Sequence, residues 1–186
     1  MSNFTAIRAV TDTLKALLID ELPGLNVEEK KPPVEVSSVT SLVGLYLYRV
    51  DQNPFAANLD WQPSAATQLR APPLGINMHY LVTPYGPDEL AIQQTIGEVM
   101  RAFHERPVIR AGDPVLSPDL STMTEELRIV PRVLPLMEML ELWRAFERTS
   151  YRLCITYEVS MVLIDATRVR NVERVQEVLV DLVPTR

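Results

Sequence analysis

Apolar residues fall into two alternating rhythms along the chain. Ile7, Val10, Leu14, Leu17 and Leu18 recur at helical spacing, which predicts an amphipathic helix over residues 3–22. Ser2 or Asn3 can cap it, and Pro23 with Gly24 ends it. Val27, Val34 and Val36 predict short extended pieces around Lys30-Lys31-Pro32-Pro33, where proline confines a strand to an edge. Leu42–Val50 is rich in β-formers and reads as a strand. Residues 51–73 read as a long loop, of a length that is often functional. Leu74–Val82 returns as a strand, with Ile76, Met78, Tyr80 and Val82 on one face and Asn77, His79 and Leu81 on the other.

The second half repeats the pattern. A helix is predicted from Pro87 to His104, with Pro87 in its first turn, Asp88 and Glu89 at its positive end, and a buried stripe of Ile92, Ile96, Val99, Met100 and Phe103. After a Pro/Gly loop over residues 110–122, Leu127, Ile129 and Val133 predict a strand interrupted by Pro131. Pro135 opens a helix with Leu136, Met139, Leu140, Trp143 and Phe146 on one face. Tyr151–Ile164 alternates as one long strand, with Leu153, Ile155, Tyr157, Val159, Met161 and Leu163 on one side. Such a strand either crosses the domain centre or projects from it. The valines at 169, 172, 175, 178, 180 and 183 begin with helical spacing. The sum is an α+β fold, with helices packed on a mixed, mostly antiparallel sheet. Residues 1–165 form the domain, and residues 166–186 a C-terminal tail, docked or reaching a neighbouring subunit.

Composition narrows the function. The chain has 186 residues, 47% of them hydrophobic and 23% charged, with a net charge of -6. An acidic balance disfavours nucleic acid as a partner. One cysteine excludes an intrachain disulfide. No signal-peptide core and no run of about 20 apolar residues appears, so the expectation is a cytoplasmic protein without a membrane partner. With 15 Pro and 6 Gly, the loops are expected to be extended and rigid.

Catalytic equipment is hard to find. His79 and His104 sit in different elements, Cys154 is alone, and no metal-ligand spacing, phosphate loop or nucleophile elbow occurs. Acidic pairs such as Asp88-Glu89 do not face each other on a helix and read as solvated or dipole-matching charge. His79 reads as a partly buried imidazole bonded to backbone or to a loop residue, with a general base as the functional alternative. Cys154 and Trp143 read as core, whereas Trp61, in a proline-rich loop, can anchor that loop or a partner. No cofactor, metal or catalytic residue is expected.

The wording of several segments carries more. "MSNFTAIRAVTDTLKALL", "LYLYRVDQNP", "NLDWQP", the block from "LRAPPLGINMHYLVTPYGPDEL" to "RPVI", and "LWRAFERTSYRLCITYEVSMVLID" resemble the cap, or tail-terminator, proteins of extracellular contractile injection systems of the antifeeding-prophage and virulence-cassette type. The resemblance runs from near Met1 to about Asp165. It implies a tail-terminator-like fold and a structural protein that closes into a ring, a homohexamer, on the last layer of inner tube and sheath. Its partners would be itself, the inner tube protein and the sheath protein, and its place the cytoplasm during assembly, then a phage-tail-like particle. Another tube, sheath or baseplate component is the alternative within assembly proteins, and a small hydrolase using His79 or His104 the alternative outside them. Val34 and Val36 are expected at an edge that accepts a strand. Asn53, Pro54, Phe55, Trp61, Arg70 and Tyr85 are expected at subunit or tube contacts.

Overall fold

The computed structural model describes residues 4–32, 41–57, 59–121, 123, 125–146 and 149–172. In chain order the elements are α1 (Ala6–Glu21), β1 (Asn26–Glu28), β2 (Leu42–Gln52), β3 (Gln62–Ala65), β4 (Gln68–Arg70), β5 (Leu74–Tyr85), α2 (Glu89–Glu105), β6 (Val108–Ile109), a 3-10 turn at Pro118–Leu120, β7 (Leu127–Pro131), α3 (Leu136–Arg144), β8 (Ile155–Ile164) and β9 (Val169–Asn171). Six strands form the main sheet in the order β1-β2-β5-β8-β7-β6, and three form a small sheet in the order β3-β4-β9. Within the main sheet β1 runs parallel to β2, and the other neighbours are antiparallel.

Both faces of the main sheet are covered. On one, α1 lays down Val10, Leu14, Leu17 and Leu18, and α2 adds Val99, Ala102 and Phe103. They meet Val43 and Leu45 of β2, Met78, Tyr80 and Val82 of β5, Ile129 of β7 and Tyr157 and Val159 of β8. The strand period of two and the helix period of 3.6 place these residues on facing surfaces. Tyr80, buried, shares a 2.8 Å hydrogen bond with the Thr11 hydroxyl of α1, which meets the need of its phenol for a partner. On the opposite face α3 packs Met139, Trp143 and Phe146 against Leu81, with Tyr46 and Cys154 at the margin.

Helix ends follow local chemistry. Thr5 sits at the start of α1 without a side-chain cap bond, while the expected caps Ser2 and Asn3 lie outside the described residues. Asp88 caps α2, accepting a 2.8 Å bond from the Ala91 N–H, so Pro87 precedes the helix instead of entering its first turn. Met100, expected in the stripe of α2, is 46% exposed; Thr95 and Ala102 are buried in that helix.

The strands bring larger corrections. β8 begins at Ile155, not Tyr151, and is interior, between β5 and β7, so of the two alternatives the strand is the one that crosses the domain. Its alternation breaks at Met161, which has φ 64 and sits where the register to β5 shifts. One extra residue there turns the apolar side over, so Val162 enters the core that Tyr157 and Val159 share, while Met161 and Leu163 do not. Pro131 ends β7 instead of interrupting it, and Val133 beyond it is almost fully exposed. Leu136, expected on the buried face of α3, is exposed. The 51–73 segment is not one loop: its start extends β2, and its second half is the β3-β4 hairpin. Val169 starts a strand, not a helix, and Val172 follows that strand, its N–H bonded to the Thr67 carbonyl; the valines from 175 on lie outside the described residues.

The two margins of the main sheet differ. β1 covers only Leu42, Val43 and Gly44 of β2, so among the described residues no strand pairs with the outer edge of Leu45–Gln52. At the other margin the Ile129 N–H points away from β8 to Pro107, and the Arg132 N–H points inward to Thr156. Alternation turns position 131 outward too, and Pro131 has no N–H to offer there.

Candidate interaction surface

Asn53 organises the turn after β2. Its N–H donates to the Gly75 carbonyl at 2.8 Å, its side-chain amide donates to Asn77 Oδ1 at 2.9 Å, and its Oδ1 accepts from the Phe55 N–H at 2.9 Å. The last bond is the local turn that asparagine makes well. Asn53 is therefore buried, while Pro54 and Phe55 are pushed out, Phe55 to 89% exposure. Ala56 folds back over Gly75, where a Cβ would collide with the Ala56 Cβ.

The small sheet stands beyond this turn, with no residue of β3, β4 or β9 buried. Trp61 leads into β3 and lies under the guanidinium of Arg170, 4.4 Å from its ring centroid, with Arg168 at 5.9 Å. Between the small sheet and the end of β8 lies a cleft of about 450 Å³. Phe55 and Arg70 from the small-sheet side of the sequence, Leu120 and Leu127 before and in β7, and Met161 and Leu163 of β8 are among the residues that line it. β7 pairs with β8 only as far as Ser160, so the cleft follows a stretch of β8 bound by β5 alone.

Of the nominated residues, the structure brings Asn53, Pro54, Phe55 and Arg70 to this seam and Trp61 to the small sheet. Tyr85 is elsewhere and buried, packed with Leu42 under the guanidinium of Arg152. Val34 and Val36 lie outside the described residues. Arg168 and Arg170 had no local signal, because the β4–β9 pairing that carries them toward Trp61 joins segments about a hundred residues apart.

His79 does have side-chain partners, and they come from neighbouring strands. Nε2 lies 3.0 Å from Asp51 Oδ2 on β2, and Nδ1 lies 3.7 Å from Glu158 Oε2 on β8. Asp51 also holds Arg49, whose hydrogen bond keeps the carboxyl below its usual range. Arg132 pairs with Glu158. In a hydrolytic triad one imidazole nitrogen faces a carboxylate and the other a nucleophile. Here Nε2 bonds to a carboxylate and ties β5 to β2, while Nδ1, nearest to Glu158, has no hydrogen-bond partner among the described residues, and no nucleophile is recorded by a hydrogen bond at either nitrogen. Cys154 accepts a 3.4 Å bond from the Trp143 indole, and burial pushes its thiol up, away from the reactive thiolate. Among the described residues no group of acidic, His and Cys side chains is placed to hold a metal ion, and no helix is long and apolar enough to cross a membrane.

A family model described as the Pvc16 N-terminal domain matches residues 9–177. No curated protein matches the chain in sequence. Two solved structures share the fold. One is described as the sheath/tube terminator of PVC, an extracellular contractile injection system, in the extended state; it superposes with a TM-score of 0.70 at 16% identity over 100% of this chain. The other, the tube-terminating cap of the anti-feeding prophage, superposes with a TM-score of 0.64 at 15% identity over 93% of this chain. The chain spans 66% and 60% of the length of those two proteins, a little under two thirds of each. The α+β, terminator-like architecture expected from the segments is thus the one present.

Proposed function

The chain belongs to the Pvc16 N-terminal domain family, and from that premise we propose that it is the structural cap of a contractile injection system, closing as a homohexameric ring on the inner tube and sheath and stabilising the particle end. The observation that carries this reading is the fold shared, over the full chain, with a sheath/tube terminator. The bond of His79 Nε2 to Asp51, with no nucleophile bonded to either ring nitrogen among the described residues, supports a protein that works by contact, not by hydrolysis.

A terminator needs one surface that fits the growing end and another that cannot be extended. Heterologous contacts that close on themselves supply the ring. The outer edge of Leu45–Gln52, which no described strand covers, is suited to accept an extended sheath segment by strand addition, since an edge strand presents unused backbone groups. It joins the edge pieces near Val34 and Val36, which lie outside the described residues, as a candidate acceptor; the alternative of a projecting end of the long strand falls away because β8 is interior. Phe55, held out by the Asn53 turn, suits a subunit or tube contact. The C-terminal residues from 166 on begin with a strand that joins the small sheet; the reading keeps the rest as a segment that docks or reaches a neighbouring copy.

Deleting the gene and imaging the particles tests the cap role. Tubes or sheaths of uncontrolled length, or unstable particles, are expected. Particles of normal length and stability would overturn it.

A further inference from the structure

We propose that the face of the small sheet formed by Trp61, Arg168 and Arg170 is a docking surface for an acidic protein segment. Among the described residues, seven arginines already hold a carboxylate: Arg8 with Asp12, Arg49 with Asp51, Arg101 with Glu105, Arg106 with Asp20, Glu21 and Asp113, Arg110 and Arg128 with Glu126, and Arg132 with Glu158. Arg168 and Arg170 are exposed and, among the described residues, form no ion pair; their recorded neighbour is the Trp61 ring. On a chain of net charge -6, they make a local cationic face.

The geometry fits carboxylates. A guanidinium stacked through its flat face on an indole keeps its N–H edges free, and those edges match a carboxylate two bonds at a time. Arg170 lies in β9 and Arg168 just before it, and both guanidinium groups lie over the same Trp61 ring. Their backbone is held: the Ala71 N–H donates to the Arg168 carbonyl at 2.9 Å, and the Val172 N–H to the Thr67 carbonyl at 2.9 Å. Less backbone freedom is then lost on binding than from an unpaired segment. Nucleic acid fits less well, because it uses the open face of an aromatic ring for base stacking, and here Arg170 occupies a face of Trp61. The surface depends on its own charge and not on the cap role, so either can fail alone.

The test is fluorescence anisotropy of a fluorescein-labelled, glutamate-rich peptide with the purified full chain. Binding is expected at low salt, weakening as salt rises. Arg168→Gln/Arg170→Gln should lower the affinity by about tenfold or more, the size set by losing charge-assisted bonds. Arg170→Lys, which keeps the charge and loses the fork, should fall between the two. A circular dichroism melt that matches the parent chain confirms that the variants are folded; should the double variant not fold, the Arg170→Lys result decides. No binding, equal binding by the variants, or tighter binding of a single-stranded DNA oligonucleotide than of the peptide would each overturn the proposal.

Discussion

The main sheet and the small sheet use the same backbone ladder under opposite conditions. The main sheet is sandwiched, with α1 and α2 on one face and α3 on the other, and its central strand β5 is buried at almost every position. The small sheet has short strands of 4, 3 and 3 residues, none of them buried. Three strands hold independently only with an apolar face to cover. This one is instead steadied by its attachments: the Ala71-Pro72-Pro73 connection to β5, the short link from β8 to β9, and the stacking on Trp61. Packing decides the shape of the first region. Among the described residues, the second has no such cover.

Trp143→Ala should separate the regions most. Trp143 is buried against Phe146 and Tyr151 and holds α3 to the sheet. Its loss should cost about 3–5 kcal/mol in urea unfolding. A cost within the error of the measurement would mean that α3 is not part of the cooperative core. Gly75→Ala acts at the seam. Its Cβ would collide with that of Ala56, and neither backbone is free to yield. About 1–3 kcal/mol is expected, with faster amide exchange around residues 53–56. Unchanged exchange there would show a looser seam.

Alkaline titration sharpens the contrast within the core. Burial pushes the Tyr80 phenol well above its usual value of 10.0. The folded chain therefore keeps a proton that the unfolded chain releases, so stability is full below pH 10 and falls as the pH rises beyond it. Tyr80→Phe should lose about 1 kcal/mol at neutral pH, with the bond to Thr11, and then show a shallower alkaline decline. An unchanged slope would place the alkaline loss elsewhere. Trp61→Ala should move the unfolding midpoint least, within about 0.5 kcal/mol, while altering ring assembly or particle length. If assembly is also unchanged, the small sheet has no partner through that ring.

Much of the main sheet was readable because its helices and strands carry clean periods. The five apolar residues singled out in α1 fall on or beside its buried face, and β5 divides its faces as alternation dictates. Periodicity fails where one residue is inserted: Met161 carries no turn signature, yet it reverses the faces of β8. It fails again at Val133 and Leu136, apolar residues that the folded chain leaves exposed. The β3-β4 hairpin escaped because its turn has no Gly or Asn to mark it. His79 was placed on the correct face, but its partners depend on strand pairing, which no local pattern reveals. Trp61 could be picked out as a loop tryptophan, whereas the arginines above it could not.

The unequal margins of the main sheet have a consequence for growth. A β-sheet with two open edges is a ribbon that templates its own elongation in both directions. Here eight residues of β2, Leu45–Gln52, have an outer edge that no described strand covers, while next to the short β6 at the other margin β7 ends on Pro131, which lacks the donor a further strand would need there. An incoming strand would find more unused backbone groups beside β2 than beside Pro131. In a chain that acts as the proposed cap, that asymmetry would let a joint form on one side while offering less to build on at the other, a stop written in backbone hydrogen bonds.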